Sequence, residues 1–299
     1  MGTGTAGRSL LAAAIAILAV GAGAGSASAA TARIAYTDFV GGNDQVFTVR
    51  ADGTHRHQVT NFAHAFPALP AWSPKQKRLV FSVTNGAPSN LFTIRPNGTH
   101  LHKIPHTRSG FEPAWSPNGK RIAYGVGNSH GRYAIFTIAP NGRHRKRLTA
   151  FKSNISPDWS PTGKSIVFSS VDGVVRMRAN GHHKQVVSSN GDEPSWSPNG
   201  RLIAFKYRAA NPEAVSDIYT VRINGTHRRN LTGARPAAPC PDFPDECRRE
   251  DEWPAWSPGG RRLLFDETSS GNGDAGIFTV KPNGGGVRHV TTSGHGADW

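Results

Sequence analysis

The stretch Phe111–Tyr124, FEPAWSPNGKRIAY, decides how this chain folds, because it is written more than once. FPALPAWSPKQKRLVF (66–81) precedes it, and ISPDWSPTGKSIVF (155–168), DEPSWSPNGRLIAF (192–205) and EWPAWSPGGRRLLF (252–265) follow it. The tryptophans of the phrase are Trp72, Trp115, Trp159, Trp196, Trp256 and, in the closing HGADW, Trp299, spaced by 43, 44, 37, 60 and 43 residues. A period near 43 with alternating short apolar runs is the signature of a propeller with one four-stranded blade per repeat. In each repeat a first strand ends at Trp-Ser and a Pro-x-Gly turn follows. Proline presets the first turn dihedral there and glycine accepts a positive φ. A second strand comes next, and then a third: VFTV (46–49), LFTI (91–94), IFTI (135–138), VVRM (174–177), IYTV (218–221) and IFTV (277–280). Asn-Gly or Asp-Gly then turns the chain into a short outer strand.

The count of third strands is six, so the spacing predicts an all-β fold, a six-bladed propeller of four-stranded blades. ARIAY (32–36) reads as a second strand with no first strand before it, and HGADW (295–299) as a first strand with no second after it. Together they complete one blade, closing the ring by pairing the N-terminal strands with the C-terminal strand and leaving no long open edge. The spacing of 60 is one repeat with an insertion, residues 233–251. The six tryptophans are read as structural filler between sheets.

The phrase PAWSPNGKRIAY, followed by IFTIAPNG and RLT, resembles the repeat of TolB-type, WD-repeat-like propellers across the chain from residue 30 to 299. The resemblance implies a six-bladed propeller. It also points to a periplasmic scaffold, since the TolB propeller contacts a peptidoglycan-associated lipoprotein. The same repeat builds the gating propeller of prolyl-oligopeptidase-like peptidases. With the first blade strand beginning almost at the expected cleavage site, no α/β domain is expected ahead of it, a departure from the pattern. Asn118, Thr162, Asn199 and Gly259, with Lys75-Gln76-Lys77, stand where the family carries Asp before the turn glycine. The family supplies no catalytic residue to carry over.

Residues 1–29 read as a secretory signal: Arg8, the apolar run Leu10–Val20, and the small-x-small site Ala27-Ser28-Ala29. That run is shorter than the roughly 20 residues of a membrane span, so the chain is expected to be extracytoplasmic, in the envelope, periplasm or medium, and monomeric. In an oxidising compartment Cys240 and Cys247 read as a disulfide within the insertion. A zinc pair would need further ligands, and the loop supplies none.

The formal charge of +15 favours envelope polymers or anionic lipids as partners over specific nucleic acid. Blade topology gathers the cations at one end of the ring, on the turns between first and second strands and between third and fourth. Lys120, Arg121, Arg143, Arg145, Lys146, Arg147, Lys184, Arg228, Arg229, Arg261 and Arg262 form this candidate polyanion-binding face. Glu112, Asp158, Asp192, Glu193, Glu252 and Asp298 precede or enter the first strands and form a candidate acidic funnel. The funnel could hold Ca²⁺ or a basic peptide segment, or be hydrated acids and nothing more. The remaining loops and the insertion are expected to carry the binding surface at the opposite end from the cations. Gly127–Gly131 matches G-x-S-x-G but lacks the following helix, so it reads as a hairpin loop. The function expected is a non-catalytic exported scaffold for a protein or anionic polymer. The alternative is an extracellular polysaccharide lyase or hydrolase using the funnel carboxylates as acid and base.

Overall fold

The computed structural model describes residues 32–86, 88–208, 216–233, 249–269 and 276–299. The secretory signal and both cysteines lie outside the described residues. No helix among the described residues is long and apolar enough to cross a membrane.

The described chain is built of strands that fall into six four-stranded blades. The first blade holds β1 (Arg33–Val40), β2 (Asn43–Arg50) and β3 (His57–Gln58). The second holds β4 (Phe66–Trp72), β5 (Leu79–Thr84), β6 (Asn90–Ile94) and β7 (His102–Lys103). The third is β8 (Gly110–Trp115), β9 (Ile122–Gly127), β10 (Tyr133–Ile138) and β11 (Lys146–Arg147). The fourth is β12 (Ile155–Trp159), β13 (Ser165–Ser170), β14 (Gly173–Arg178) and β15 (Gln185–Ser188). The fifth is β16 (Asp192–Trp196), β17 (Leu202–Arg208), β18 (Ser216–Arg222) and β19 (Arg229–Asn230). The sixth is β20 (Arg249–Trp256), β21 (Leu263–Ser269), β22 (Gly276–Val280) and β23 (Arg288–Thr291). The last strand, β24 (His295–Asp298), returns to the first blade and pairs antiparallel with β1, Ala35 opposite Asp298 and Thr37 opposite His295. The ring therefore closes as the two chain ends predict. One parallel pair, Ser216–Glu250, fuses the fifth and sixth blades into an eight-stranded sheet. Residues 249–251, which the repeat spacing assigns to the insertion, already belong to β20.

The core explains why each second and third strand has an apolar middle. Six buried clusters form, and each draws side chains from two consecutive blades. Ala123, Ile135 and Leu148 of the third blade pack with Trp159, Ile166, Phe168, Val175 and Met177 of the fourth. The first blade meets the second through Val46, Trp72 and Phe81, and meets the sixth through Tyr36, Leu264 and Trp299. A strand sandwiched between two neighbours has no wet face, so it carries no polar alternation. Propeller stability is then a sum of neighbour interfaces.

The turns hold as their chemistry requires. Gly119, Gly163, Gly200 and Gly260 sit at φ of 65–70°, and in the second blade Gln76 occupies that position at 50°. Gly127–Gly131 is the β9–β10 hairpin: the Asn128 carboxamide oxygen accepts from the His130 and Arg132 backbone N–H at 3.0 Å.

Candidate functional site: the central cavity

The first strand of every blade breaks its ladder at the same place. Three residues before each tryptophan stand Leu69, Glu112, Ser156, Glu193, Trp253 and Gly296, and all six adopt a left-handed backbone with φ between 49° and 61°. In the second to sixth blades the ladder is bulged there, between Ala68 and Ala71, Phe111 and Ala114, Ile155 and Asp158, Asp192 and Ser195, and Glu252 and Ala255. Proline follows that residue in all but the last copy, fixing the next φ and donating no hydrogen bond. A bulge of this kind bends a strand and re-aims a side chain. Here all six re-aimed residues line one cavity of about 1150 Å³ on the axis of the ring.

The cavity extends from this ring of residues to the Trp-Ser-Pro turns. Its walls include Trp72, Trp115, Trp159, Trp256 and Trp299 with the prolines that flank them. Lys75, Arg261, Arg262, Arg288 and Asp52 lie at its mouth. The cavity thus belongs to the cationic end of the molecule, and no residue of the loops at the other end lines it. Loop length predicts a binding surface at that other end, but the concavity comes from the bulged inner strands.

Of the six funnel carboxylates, Glu112, Asp158, Glu193 and Asp298 line the cavity. Each spends an oxygen on the backbone of the next blade. Glu112 Oε2 accepts from the Ser156 N–H at 2.6 Å and the Ser156 hydroxyl at 3.0 Å. Glu193 Oε2 accepts from the Trp253 N–H at 2.8 Å. Asp158 Oδ2 accepts from the Trp196 N–H at 2.7 Å, and Asp298 Oδ2 from the Trp72 N–H at 2.8 Å. The signal for these four is legible in the repeat: a carboxylate three residues or one residue before a recurring tryptophan. A fifth clasp, absent from the predicted funnel, joins the sixth blade to the first: the Gly296 N–H donates to Asp266 Oδ2 on β21. The second-to-third junction has Leu69 and Ala71 at the clasp positions and no carboxylate there.

Asp192 and Glu252 stand away from the cavity. Asp192 Oδ1 accepts from the Glu193 N–H at 2.9 Å, and Glu252 pairs with the Lys206 ammonium, which also lies 3.9 Å from Glu250. Burial dominates the titration of the clasps. It pushes Glu112 to about 7, opposed by the Ser156 hydrogen bonds, and Asp158 to about 7. Glu193 and Asp266 rise to about 8 and Asp298 to about 6, again chiefly through burial. The described residues hold no cluster of three or more His, Cys, Asp or Glu side chains arranged to hold a metal.

The predicted basic face divides into cations already engaged and cations left free. Arg145 stacks over Phe136 at 4.1 Å and donates to the Tyr124 hydroxyl at 3.1 Å, and Arg228 lies 4.6 Å over Tyr207. Arg147 lies 5.5 Å over Phe151. Arg121, Lys146 and Arg229 donate to the carbonyls of His144, Asn180 and Asn283 at 2.7, 3.3 and 2.7 Å. Lys120, Arg143, Lys184 and Arg261 are exposed and engage no side-chain partner among the described residues. Five turns of this face carry a left-handed histidine: His55, His100, His144, His183 and His227.

Asp298→Ala removes the clasp across the closing blade and leaves the Trp72 N–H without its acceptor. Denaturant unfolding at about pH 5, where the carboxyl is protonated, should show a loss of about 1–3 kcal/mol, the cost of an unpaired buried donor. Unchanged stability would mean that the clasp contributes nothing.

The sequence matches the model of the TolB beta propeller domain family over residues 24–241. No curated protein matches the chain in sequence. Among solved structures, TolB from Acinetobacter baumannii superposes with a TM-score of 0.67 at 18% identity, covering 91% of this chain and 67% of that one. A TolB-designated protein from Agrobacterium tumefaciens gives 0.69 at 20% identity, covering 88% and 91%. An oligogalacturonate lyase in complex with manganese is more distant, at 0.58 and 10% identity, covering 86% and 73%. Six copies of one bulged, Trp-terminated strand around a closed ring agree with the family match, and the chain belongs to the TolB beta propeller domain family.

Proposed function

We propose that this chain is an exported, non-catalytic propeller scaffold that receives a segment of a protein partner in its central cavity at the cell envelope. The observation that carries this reading is the cavity itself. It holds about 1150 Å³, has tryptophan and proline walls, and is framed by a ring closed through six buried inter-blade clusters. Concave, mostly apolar sites with a few placed polar groups are where ligands bind, and a rigid frame lowers the ordering cost of binding. The lyase or hydrolase reading gains no support from the carboxylates. Each one lining the cavity holds the backbone of a neighbouring blade through an oxygen, an arrangement that suits a structural clasp better than an acid and base pair.

The test blocks the cavity without touching the clasps. Ser195 lies on the cavity wall between two of them. With the protein as bait in native envelope extract, a discrete polypeptide should survive a high-salt wash. Ser195→Phe should lose that polypeptide while keeping the parent's melting temperature. Equal retention by both proteins would place binding elsewhere.

A further inference from the structure

The lining of the cavity is electrically lopsided. Its cations stand on the two blades that flank the first: Lys75 on the second, and Arg261, Arg262 and Arg288 on the sixth. On the opposite half of the ring the turns after the tryptophans reach the cavity through Pro117, Pro161 and Pro198 and no cation. Three of the four deeper acids, Glu112, Asp158 and Glu193, belong to that half, with Asp298 on the first blade.

The three arginines all line the cavity, and one of them is held in place. Arg262 is fixed: its Nε donates to the Thr279 hydroxyl at 2.8 Å, and its Nη2 to the carbonyls of Thr279, at 3.0 Å, and Gly286. Partial burial and, after it, the neighbouring Arg288 cation hold its pKa below the usual guanidinium range. Among the described residues the ion pairs are Arg56–Asp38 and Lys206 with Glu250 and Glu252, so no carboxylate neutralises this group. Asp52, the acid at the mouth, accepts from the N–H and hydroxyl of Thr54 in its own turn at 2.9 and 2.7 Å. Neighbouring guanidinium groups, one of them partly buried and immobilised, are costly when unpaired and favour a planar anion in bidentate geometry.

We propose that Arg261, Arg262 and Arg288 are the anion-reading side of the cavity, and that the segment received there is an acidic-ended peptide. This rests on the cavity being the binding site. Beyond the arginines and Lys75 the lining holds no cation, so a uniformly anionic polymer running inward would meet only apolar walls and the acids Glu112, Asp158 and Glu193, which give it no countercharge in either protonation state. The lining instead suits a chain whose carboxylate stays at the mouth while neutral or cationic residues pass inward between the tryptophans.

The experiment is calorimetric titration at low ionic strength, where charge reading is least screened. Three probes are used: a short alanine–proline peptide with two aspartates at one end and a lysine at the other, the same peptide with lysine at both ends, and polyphosphate. The aspartate peptide should bind most tightly. Its affinity should fall at least about ten-fold, which is about 1.4 kcal/mol, in the double variant Arg261→Ala/Arg288→Ala, which leaves the anchored Arg262 in place. Arg261→Glu/Arg288→Glu should invert the preference between the two peptides, an outcome that misfolding cannot produce. Preference for the lysine peptide, or indifference of the aspartate peptide to both variants, would overturn the proposal. Polyphosphate binding most tightly would overturn it in favour of a polymer-reading face, and so would no binding by any probe. None of these outcomes decides the wider cavity reading, which stands or falls on capture by the Ser195→Phe protein.

Discussion

Between about pH 5 and pH 9 the folded ring is expected to lose several kcal/mol of stability as the pH rises, the reverse of ordinary acid denaturation. The cause is the set of clasp carboxylates. Burial raises all five, Glu112 and Asp158 to about 7, Glu193 and Asp266 to about 8, and Asp298 to about 6. Neighbouring acids add to this: Asp192 beside Glu112, Asp298 beside Asp158, Glu252 and Asp192 beside Glu193, and Glu252 beside Asp266. The Lys206 ammonium opposes it at Glu193, and backbone N–H groups oppose it at each clasp. In the unfolded chain these groups release their protons near pH 4, while in the ring they keep them for two or more further pH units. The folded state therefore binds more protons across this window, and stability falls with rising pH until the folded carboxyls ionise.

A ten-fold tighter hold on one proton in the folded state is worth about 1.4 kcal/mol. The five clasps together contribute less than five independent carboxyls would, because four of them are partly open to the cavity and several share neighbours. At about 2–4 °C per kcal/mol for a domain near this size, Tm should drop by of the order of 10 °C between about pH 5 and pH 9. Glu193→Gln keeps an oxygen for the Trp253 N–H and removes one titrating group, so its melting profile should be flatter than the parent's. A Tm that is level or rises over the same range would show that the clasps are ionised throughout and held by their hydrogen bonds.

Replacing Trp159 with alanine should cost about 3–5 kcal/mol, the usual penalty for emptying a buried aromatic site. Trp159 is 9% exposed and sits between Ala123 and Ile135 of one blade and Ile166, Phe168 and Met177 of its own. Its loss opens a cavity at an inter-blade junction, and a ring stabilised through neighbour contacts feels each junction in full. Trp159→Phe should cost much less. The indole Nε1 is buried with no acceptor among the described residues, as it is in all six copies, so phenylalanine keeps most of the ring contact and removes an unsatisfied donor. Trp115, the one copy that is not fully buried, should be the most tolerant of alanine. Equal losses at Trp115 and Trp159 in guanidinium unfolding would contradict the burial argument.

The blades are legible because their signals are local and repeated. Trp-Ser-Pro-x-Gly carries turn chemistry within five residues, and the apolar third strands mark a sheet with neighbours on both faces. The pairing of Ala35 with Asp298 is legible for another reason: an orphan second strand and an orphan first strand can satisfy their edges only in each other. The funnel is half legible. Glu112, Asp158, Glu193 and Asp298 do face the axis, but nothing in the repeat shows that they point sideways into the next blade. Nor does it separate Lys206 with its two glutamates from the cavity acids, since that grouping depends on how β17 meets β20.

What the sequence by itself determined was periodicity, and with it strand order, turn type, closure and the sorting of charge along each repeat. These follow from residue spacing along a covalent chain. The tertiary structure decided which end of the ring is hollow, which carboxylates are spent on neighbouring backbone, and which arginines remain unpaired. The left-handed residue three before the tryptophan bends each inner strand, and only six such bends brought together enclose the cavity. A carboxylate's partner, burial and proton affinity are properties of the junction between two blades, and no single repeat contains that junction.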